Sequence, residues 1–588
     1  MPKNLAQDRL REGSKREILR CTQNDIKYHF AFRTLHFLIC FVCVFFLTGC
    51  RPSSFVDFKK DTLILATTSD PKTFNSILAK ETSSTMVTGF LFEGLTRTNG
   101  VTTEVEPNLA ESWSVKEGGR VWDFTLRPVR WFDGQPLSAD DVLFTFQNLI
   151  YNPQIPTSSR DIFTVAEQEI KTIKLSSHKV RFILPAPFAP FLRQLSQEIL
   201  PRHLLLSKVD NNQFNTAWGV NTPPAGIIGT GPFLLSGYQI GEKVVLTANP
   251  RYWRKDKENR PLPRLKRIVI LIVPDQSAEL LRFLQGEIDV IGVRGQDYKI
   301  LKPLEKKRNF TIYDTGPALG ENFLVFNQNS KAPIPSYKSA WFQNKLFRQA
   351  ISYGVDRTGI IRNVFAGLAY PEWGPMNESS GYFYNPGIKR YPYNPSESRR
   401  ILLKAGFRYQ GDVLYDKNGS RVEFTLLTNG DNLERVQMAT VISDDLKNLG
   451  IKVHFLPVDF NNMVNRLDVN YDWEAVIIGL TGGIEPHSGR NVWHSSGQLH
   501  LWNPKQKSPQ TAWEKETDEI FEKGAVELNP AKRKILYDRW QEVIAEEVPV
   551  VHLVSPAALY GVRNRFGNIK PTSYGGILHN IAEIYTIE

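Results

Sequence analysis

Beyond position 50 this 588-residue chain has no cysteine; its four, Cys21, Cys40, Cys43 and Cys50, all lie toward the amino end. The remainder forms no internal disulfide and offers no thiolate to a metal. That avoidance suits an oxidising compartment. The apolar run at residues 35–47, broken only by His36, is too short to span a bilayer comfortably. There is no arginine-rich run and no nucleic-acid motif. Of the net charge of +11, residues 1–49 carry +4 and the rest carries +7, spread along the chain. Such charge reads as a solvated surface, with no nucleic acid as partner. G-x-S-x-G, H-E-x-x-H and Walker sequences are all missing, so these signatures of hydrolases and nucleotide enzymes are excluded. No internal repeat and no low-complexity tract is present.

What is present reads as a soluble chain of more than one domain. Hydrophobic content of 41% and charged content of 23% are ordinary for globular proteins, and the length exceeds what one compact core supports. Residues 62–67 (TLILAT) form a buried-strand candidate turned by Ser69-Asp70-Pro71. Residues 121–127 alternate, with Trp122, Phe124 and Leu126 on one face, as in a half-buried strand. Trp131-Phe132-Asp133-Gly134 reads as a turn, and Ser138 as a helix cap with Asp140 and Asp141 in the first helical turn. Turn and capping roles account for all three aspartates without catalysis.

Residues 229–253 (GTGPFLLSGYQIGEKVVLTANPRYW) predict a hairpin entered by a glycine-proline bend and closed by Asn249-Pro250. Further on, a strand at 265–273 precedes a helix started by Ser277, with Leu280, Leu281 and Leu284 inward and Gly286 as the stop. A strand at 288–291 follows, and the order suggests a parallel βαβ unit. A helix over 432–449 buries Ala439, Ile442, Leu446 and Leu449. Residues 475–480 (AVIIGL) read as a buried strand, and a long helix lies within 530–551.

GTGPF, a glycine turn and then NPxYW closely resemble the signature of the family 5 extracellular solute-binding proteins, the oligopeptide- and dipeptide-binding receptors of bacterial ABC importers. PNLAESW at 107–113, FDGQPLSADDVLFTF at 132–146, FLQGEIDVI at 283–291, ENFLVFN at 321–327, KLFRQAISY at 345–353 with Val355-Asp356-Arg357, and EEVPVVHL at 546–553 follow in the family's order. The resemblance covers residues 61–588. It implies an α/β, type II periplasmic-binding-protein fold, two lobes with a hinge, lobe one carrying an extra subdomain. On that reading lobe one comprises 61–95, a subdomain at 96–228, 229–315 and a carboxyl-terminal return at 551–588. Lobe two is 316–550, and Thr315-Gly316-Pro317 is the hinge candidate.

The leader fits the same picture. Lys27 and Arg33 precede the apolar run, which ends in Leu47-Thr48-Gly49-Cys50 and resembles a bacterial lipobox. The resemblance implies that 1–49 is a lipoprotein signal peptide, that Cys50 is the lipidated residue, and that 50–60 is a tether. An uncleaved anchor is the alternative reading. A lipid anchor would hold the body at a membrane in the cell envelope, in the periplasm or at the outer face of the cytoplasmic membrane.

The expected ligand site follows strand 475–480, in the loop holding Thr481, Gly482, Gly483, Glu485, Arg490, Asn491 and Trp493. Glycines expose backbone groups, while the others bring charge, amide and aromatic surface. Peptide-binding members carry a GxDxxDP-like sequence here, whose first aspartate salt-bridges the ligand's α-amino group. Aligning Glu485-Pro486 with Asp-Pro places Gly482 at that aspartate, which leaves Glu485 to supply the charge or the ligand to be something other than a free peptide. Lesser site expectations are Thr68, Ser69, Asn322, Tyr370 and Trp373. The partners implied are a peptide or peptide-like solute and an ABC permease with its ATPase, the receptor acting as a monomer with no cofactor. Three rivals stand beside this reading. A non-peptide solute such as a nickel complex or glycoconjugate is one, with His487, His494, His500 and Glu485 as conceivable ligands to a metal. A secreted hydrolase and a tethered sensor without a permease are the others.

Overall fold

The computed structural model describes residues 60–587. The leader, Cys50 and the tether up to residue 59 lie outside them. Among the described residues no helix is long and apolar enough to cross a membrane.

Two sheet systems organise the chain. In the first, Thr62–Thr67 runs parallel to Arg267–Ile272, which pairs antiparallel with Lys243–Ala248 and that in turn with Phe233–Gln239. The last two strands are the expected hairpin, with Gly241 at φ 70° in its turn. The GTG segment is glycine for a steric reason. A Cβ on Gly229 would sit 1.9 Å from the Leu91 carbonyl oxygen, and one on Gly231 2.5 Å from that of Phe90. The NPRYW end is pinned by polar contacts. Asn249 Nδ2 donates to the Gly231 carbonyl at 2.9 Å, and Tyr252 and Trp253 donate to the buried Glu93 carboxylate at 3.0 and 2.8 Å. A separate antiparallel sheet joins Ala110–Lys116, Val121–Leu126, Lys179–Ile183 and Lys171–Ser176.

The second system is an eight-stranded sheet built around Val550–Arg563. The early residues of that strand pair with Glu321–Phe326, which continues through Ala475–Leu480 and Glu423–Asn429 to Lys452–Val458. Its later residues pair with Phe310–Pro317 and Val290–Gly292. The apolar run at 321–326 is continuous because both faces are covered. Leu324 and Phe326 enter one core with Phe347, Phe424 and Ile442, while Phe323 and Val325 enter another with Trp473, Phe521 and Trp540. Two further cores draw almost wholly on residues before 313 and after 556, with Ala525 the exception. The fold is thus the two-lobed α/β type expected.

The expected hinge, Thr315-Gly316-Pro317, lies where Pro317 pairs with Ala557. Register shifts between Asp314 and Pro317, Gly316 has φ 86°, the Ala318 N–H donates to the Pro556 carbonyl at 2.9 Å, and Ser555 Oγ donates to the carbonyls of Ala318 (2.6 Å) and Gly320 (2.9 Å). The pairing is regular from Phe310 to Asp314 and breaks only before Pro317, within the one eight-stranded sheet.

Two sequence expectations need correction. Arg267–Ile272 and Val290–Gly292 flank a helix but do not form a parallel βαβ unit; they enter different sheets, and the second pairs antiparallel with Val550–Arg563. The helix, Gln276–Gln285, is capped by Asp275 through the Ser277 and Ala278 N–H groups, not started by Ser277. Its fully buried residue is Phe283, whereas Leu281 is 55% exposed. Neighbours one apart on a helix point about 100° apart, so Leu280 and Leu281 cannot share the inner face.

Candidate ligand-binding site

The loop after Ala475–Leu480 enters the gap between the lobes. A cleft of about 750 Å³ is lined by Lys80, Glu81, Tyr560, Ser573 and Tyr574 from one side, and by Asn322, Arg435, Phe460 and Gly479 to Gly482 from the other. A smaller cavity of about 200 Å³ shares Leu319, Glu321, Leu480, Thr481, Gly482 and Leu499 with it. Its other walls include Glu372, Asn377, Asn491, Trp493 and Trp540. Three hydrogen bonds tie the two sides together around these spaces. Thr68 Oγ1 donates to Asp431 Oδ2 at 2.7 Å, the Leu433 N–H to Gln276 Oε1 at 2.8 Å, and Gln194 Nε2 to Ser488 Oγ at 2.9 Å.

Of the residues expected from sequence, Thr481 and Gly482 face both spaces. Gly483, Glu485, Asn491 and Trp493 face the smaller one, and Asn322 faces the cleft. Thr68 lies on a separate interlobe cavity of about 550 Å³. Ser69 contributes only a carbonyl that accepts from Thr67 Oγ1 at 3.4 Å. Tyr370 is 40% exposed and Trp373 sits under the Arg357 guanidinium at 4.6 Å; neither lines the cleft or the small cavity.

The two charges of the loop are engaged inside the protein. Glu485 accepts from Arg533 Nη2 at 2.7 Å and Nη1 at 3.2 Å, and from the His487 N–H at 3.1 Å. It is therefore not free to receive a ligand's amino group. Arg490 donates to Glu522 at 2.6 Å and to the Asp161 carbonyl at 3.0 Å, so its guanidinium is also satisfied. Gly482 has φ 66°, and a Cβ there would sit 2.0 Å from the Leu319 carbonyl oxygen. In this backbone conformation the position admits no side chain.

The histidines proposed for a metal go to separate partners. His487 Nε2 faces the Ile162 carbonyl at 3.1 Å, His494 Nδ1 faces Ser496 Oγ at 2.9 Å, and His500 Nδ1 faces the Val492 carbonyl at 2.9 Å. Burial, reinforced by Arg490, pushes His487 and His494 down to about 3, so both are neutral at physiological pH. Among the described residues no three His, Cys, Asp or Glu side chains are grouped to hold a metal ion.

Sequence reasoning missed Arg435, Glu321 and Glu372. Arg435 lies in the first turn of Leu433–Asn448, capped by Asn432, and donates to Asn322 Oδ1 and Asn429 Oδ1, both at 2.9 Å. Burial pulls it down to about 10, which leaves it charged near neutrality on the cleft wall. Glu321 begins a strand already quoted as a motif, and Glu372 stands between the two aromatic residues that were singled out.

An α/β fold of two sheet systems with a cleft walled from two sides is the architecture of a solute-binding protein. The chain belongs to the family 5 bacterial extracellular solute-binding proteins; the model described as "Bacterial extracellular solute-binding proteins, family 5 Middle" matches residues 104–499. A probable ABC transporter-binding protein of Deinococcus radiodurans is 30% identical over 493 residues, 79% of this chain and 82% of that one. The oligopeptide-binding protein AppA of Bacillus subtilis is 28% identical over 79% of this chain and 84% of its own. Its crystal structure with a nonapeptide superposes with a TM-score of 0.77 at 25% identity, covering 90% of this chain and 99% of that one. The fold is shared equally by NikZ of Campylobacter jejuni in complex with Ni(L-His), at TM-score 0.75 and 24% identity, covering 90% of this chain and all of that one.

Proposed function

We propose that this protein is the capture component of an ABC importer and that its cargo is a peptide or peptide-like solute. Held at the membrane by a lipid on Cys50, it closes lobe two (316–550) on lobe one and presents the loaded form, as a monomer, to a permease and its ATPase. The observation that carries this reading is the interlobe cleft of about 750 Å³, walled from both sides by hydrogen-bonding side chains. That volume is within the range of pockets that enclose small organic solutes. Asn322, Arg435, Lys80 and the glycine-rich Thr481 to Gly483 backbone offer donors to a ligand's carbonyls. Each neutral bond nets only about 0.5–1.5 kcal/mol, so affinity depends on many of them and on exclusion of water at closure. The nonapeptide held by the related AppA supports the choice of peptide.

Native mass spectrometry of the protein purified from its own cells tests this. The expected result is a small mass bound one to one, released unchanged on denaturation. A chain that is always empty, or a solute released in altered form, would contradict the proposal.

A further inference from the structure

The small cavity beside the cleft holds a carboxyl group that faces no lysine or arginine among the described residues. Glu372 follows the short strand Ala369–Pro371, its N–H fixed on the Leu553 carbonyl at 3.0 Å, and only 6% of the residue is exposed. The groups facing its side chain are Glu321, Glu378, Tyr384 and the amide of Asn377, with no lysine or arginine among them. Glu321, on the same cavity wall, is bonded to His552 Nδ1 at 2.7 Å. Burial and then the neighbouring Glu321 push the Glu372 carboxyl up to about 9. Asn377 hydrogen-bonds the Glu372 carboxyl, while a second buried group on this wall, the Trp540 indole N–H of a residue only 2% exposed, meets no acceptor among the described residues. Buried polar groups are nearly always paired, so a carboxyl without a cation and a donor without an acceptor, on one small cavity, mark a place where something else supplies both.

We propose that this cavity is a subsite for one positively charged group of the solute, an ammonium or a guanidinium, received by Glu372 with Glu321 beside it, while the Trp540 N–H donates to an acceptor next to that charge. The subsite opens into the cleft past Thr481 and Gly482, so the rest of the solute lies in the larger space. This rests on the solute-capture reading and adds to it the residue that selects for charge. Glu485 cannot serve, being bound to Arg533, and Gly482 admits no side chain. The cavity's size limits it to one residue's side chain or terminus.

The test compares Ala-Arg-Ala, Ala-Gln-Ala and their N-acetylated forms by calorimetric titration of wild type and Glu372→Gln. Wild type is expected to bind the charged members about tenfold or more tightly than acetyl-Ala-Gln-Ala, as for a hydrogen bond to a charged group. Glu372→Gln is expected to erase that difference. Acetyl-Ala-Arg-Ala against Ala-Gln-Ala tells guanidinium from terminal ammonium. The variant's melting temperature provides a separate readout. A carboxyl whose pKa is higher folded than unfolded destabilises the empty protein as pH rises from its unfolded value toward about 9. Glu372→Gln should therefore melt higher than wild type at pH 8 and equally at pH 4, which also shows that it folds. A preference for charge that survives in Glu372→Gln, or that wild type lacks, overturns the subsite and leaves capture standing. If no peptide binds, solutes released from the purified protein decide. A pool without a protonatable nitrogen overturns the subsite alone, one rich in such solutes and lost in Glu372→Gln supports it, and an empty protein ends both readings.

Discussion

Replacing Arg533 with alanine is expected to cost about 3–5 kcal/mol of folding stability, the loss typical when one partner of a buried ion pair is removed. Both side chains of the Glu485–Arg533 pair are 8% exposed. The guanidinium also donates to the Gly524 carbonyl at 2.9 Å and lies over the rings of Phe383 (5.2 Å) and Tyr537 (5.4 Å). Removing it leaves an uncompensated carboxylate under the binding loop. Glu485→Ala strands the opposite charge and loses an acceptor for the His487 N–H, so a similar loss is expected. The double variant Glu485→Ala/Arg533→Ala, which removes both charges, should lose less than the two single losses together, because neighbours in one network do not add. Urea denaturation of the four proteins measures this. Equal additivity would mean that the pair is not coupled as the geometry requires. A Glu485 variant that releases solute therefore reports a loosened loop, and contact with the solute must be judged at unchanged stability.

The second large effect concerns closure. Gly295 opens the helix Gly295–Leu301 in lobe one, and a Cβ there would lie 1.8 Å from the Phe365 carbonyl oxygen in lobe two. Gln296 Nε2 crosses the same seam to the Asn363 carbonyl at 2.7 Å. The alanine methyl can be relieved by parting the lobes, so Gly295→Ala weakens the closed state while leaving each lobe intact. Overpacking of this kind costs about 1–3 kcal/mol, which is about fivefold to a hundred-and-fiftyfold in apparent affinity for the solute. Gly292→Ala is the control, since nothing lies within 4 Å of a Cβ at that position. Titration of stripped protein with the solute recovered from it should show a large loss for Gly295→Ala and none for Gly292→Ala. Equal affinities would place the seam outside the closing motion.

Much of the architecture was legible in residues alone. Strand 475–480 has its expected ends, Asn394 and Asn432 cap the helices Pro395–Lys404 and Leu433–Asn448, and the hairpin at 233–248 turns on Gly241. These features are local: a period, a cap or a positive φ is written within a few residues. What failed was not local. Periodicity does not say which sheet accepts a strand, so Val290–Gly292 was placed beside the wrong neighbour. The site suffered for the same reason. Glu485 and Arg490 looked free because their partners lie 48 and 32 residues further on. Glu372 gave no signal, since an acid between two aromatic residues resembles a surface loop until the fold buries it.

On the proposed function, the body shuts around its solute. Small-angle X-ray scattering of the stripped protein, before and after the recovered solute is returned, measures this most directly. A smaller radius of gyration on return is the expected outcome, with Gly295→Ala remaining at the larger value at the same solute concentration. Identical scattering curves with and without bound solute would contradict it.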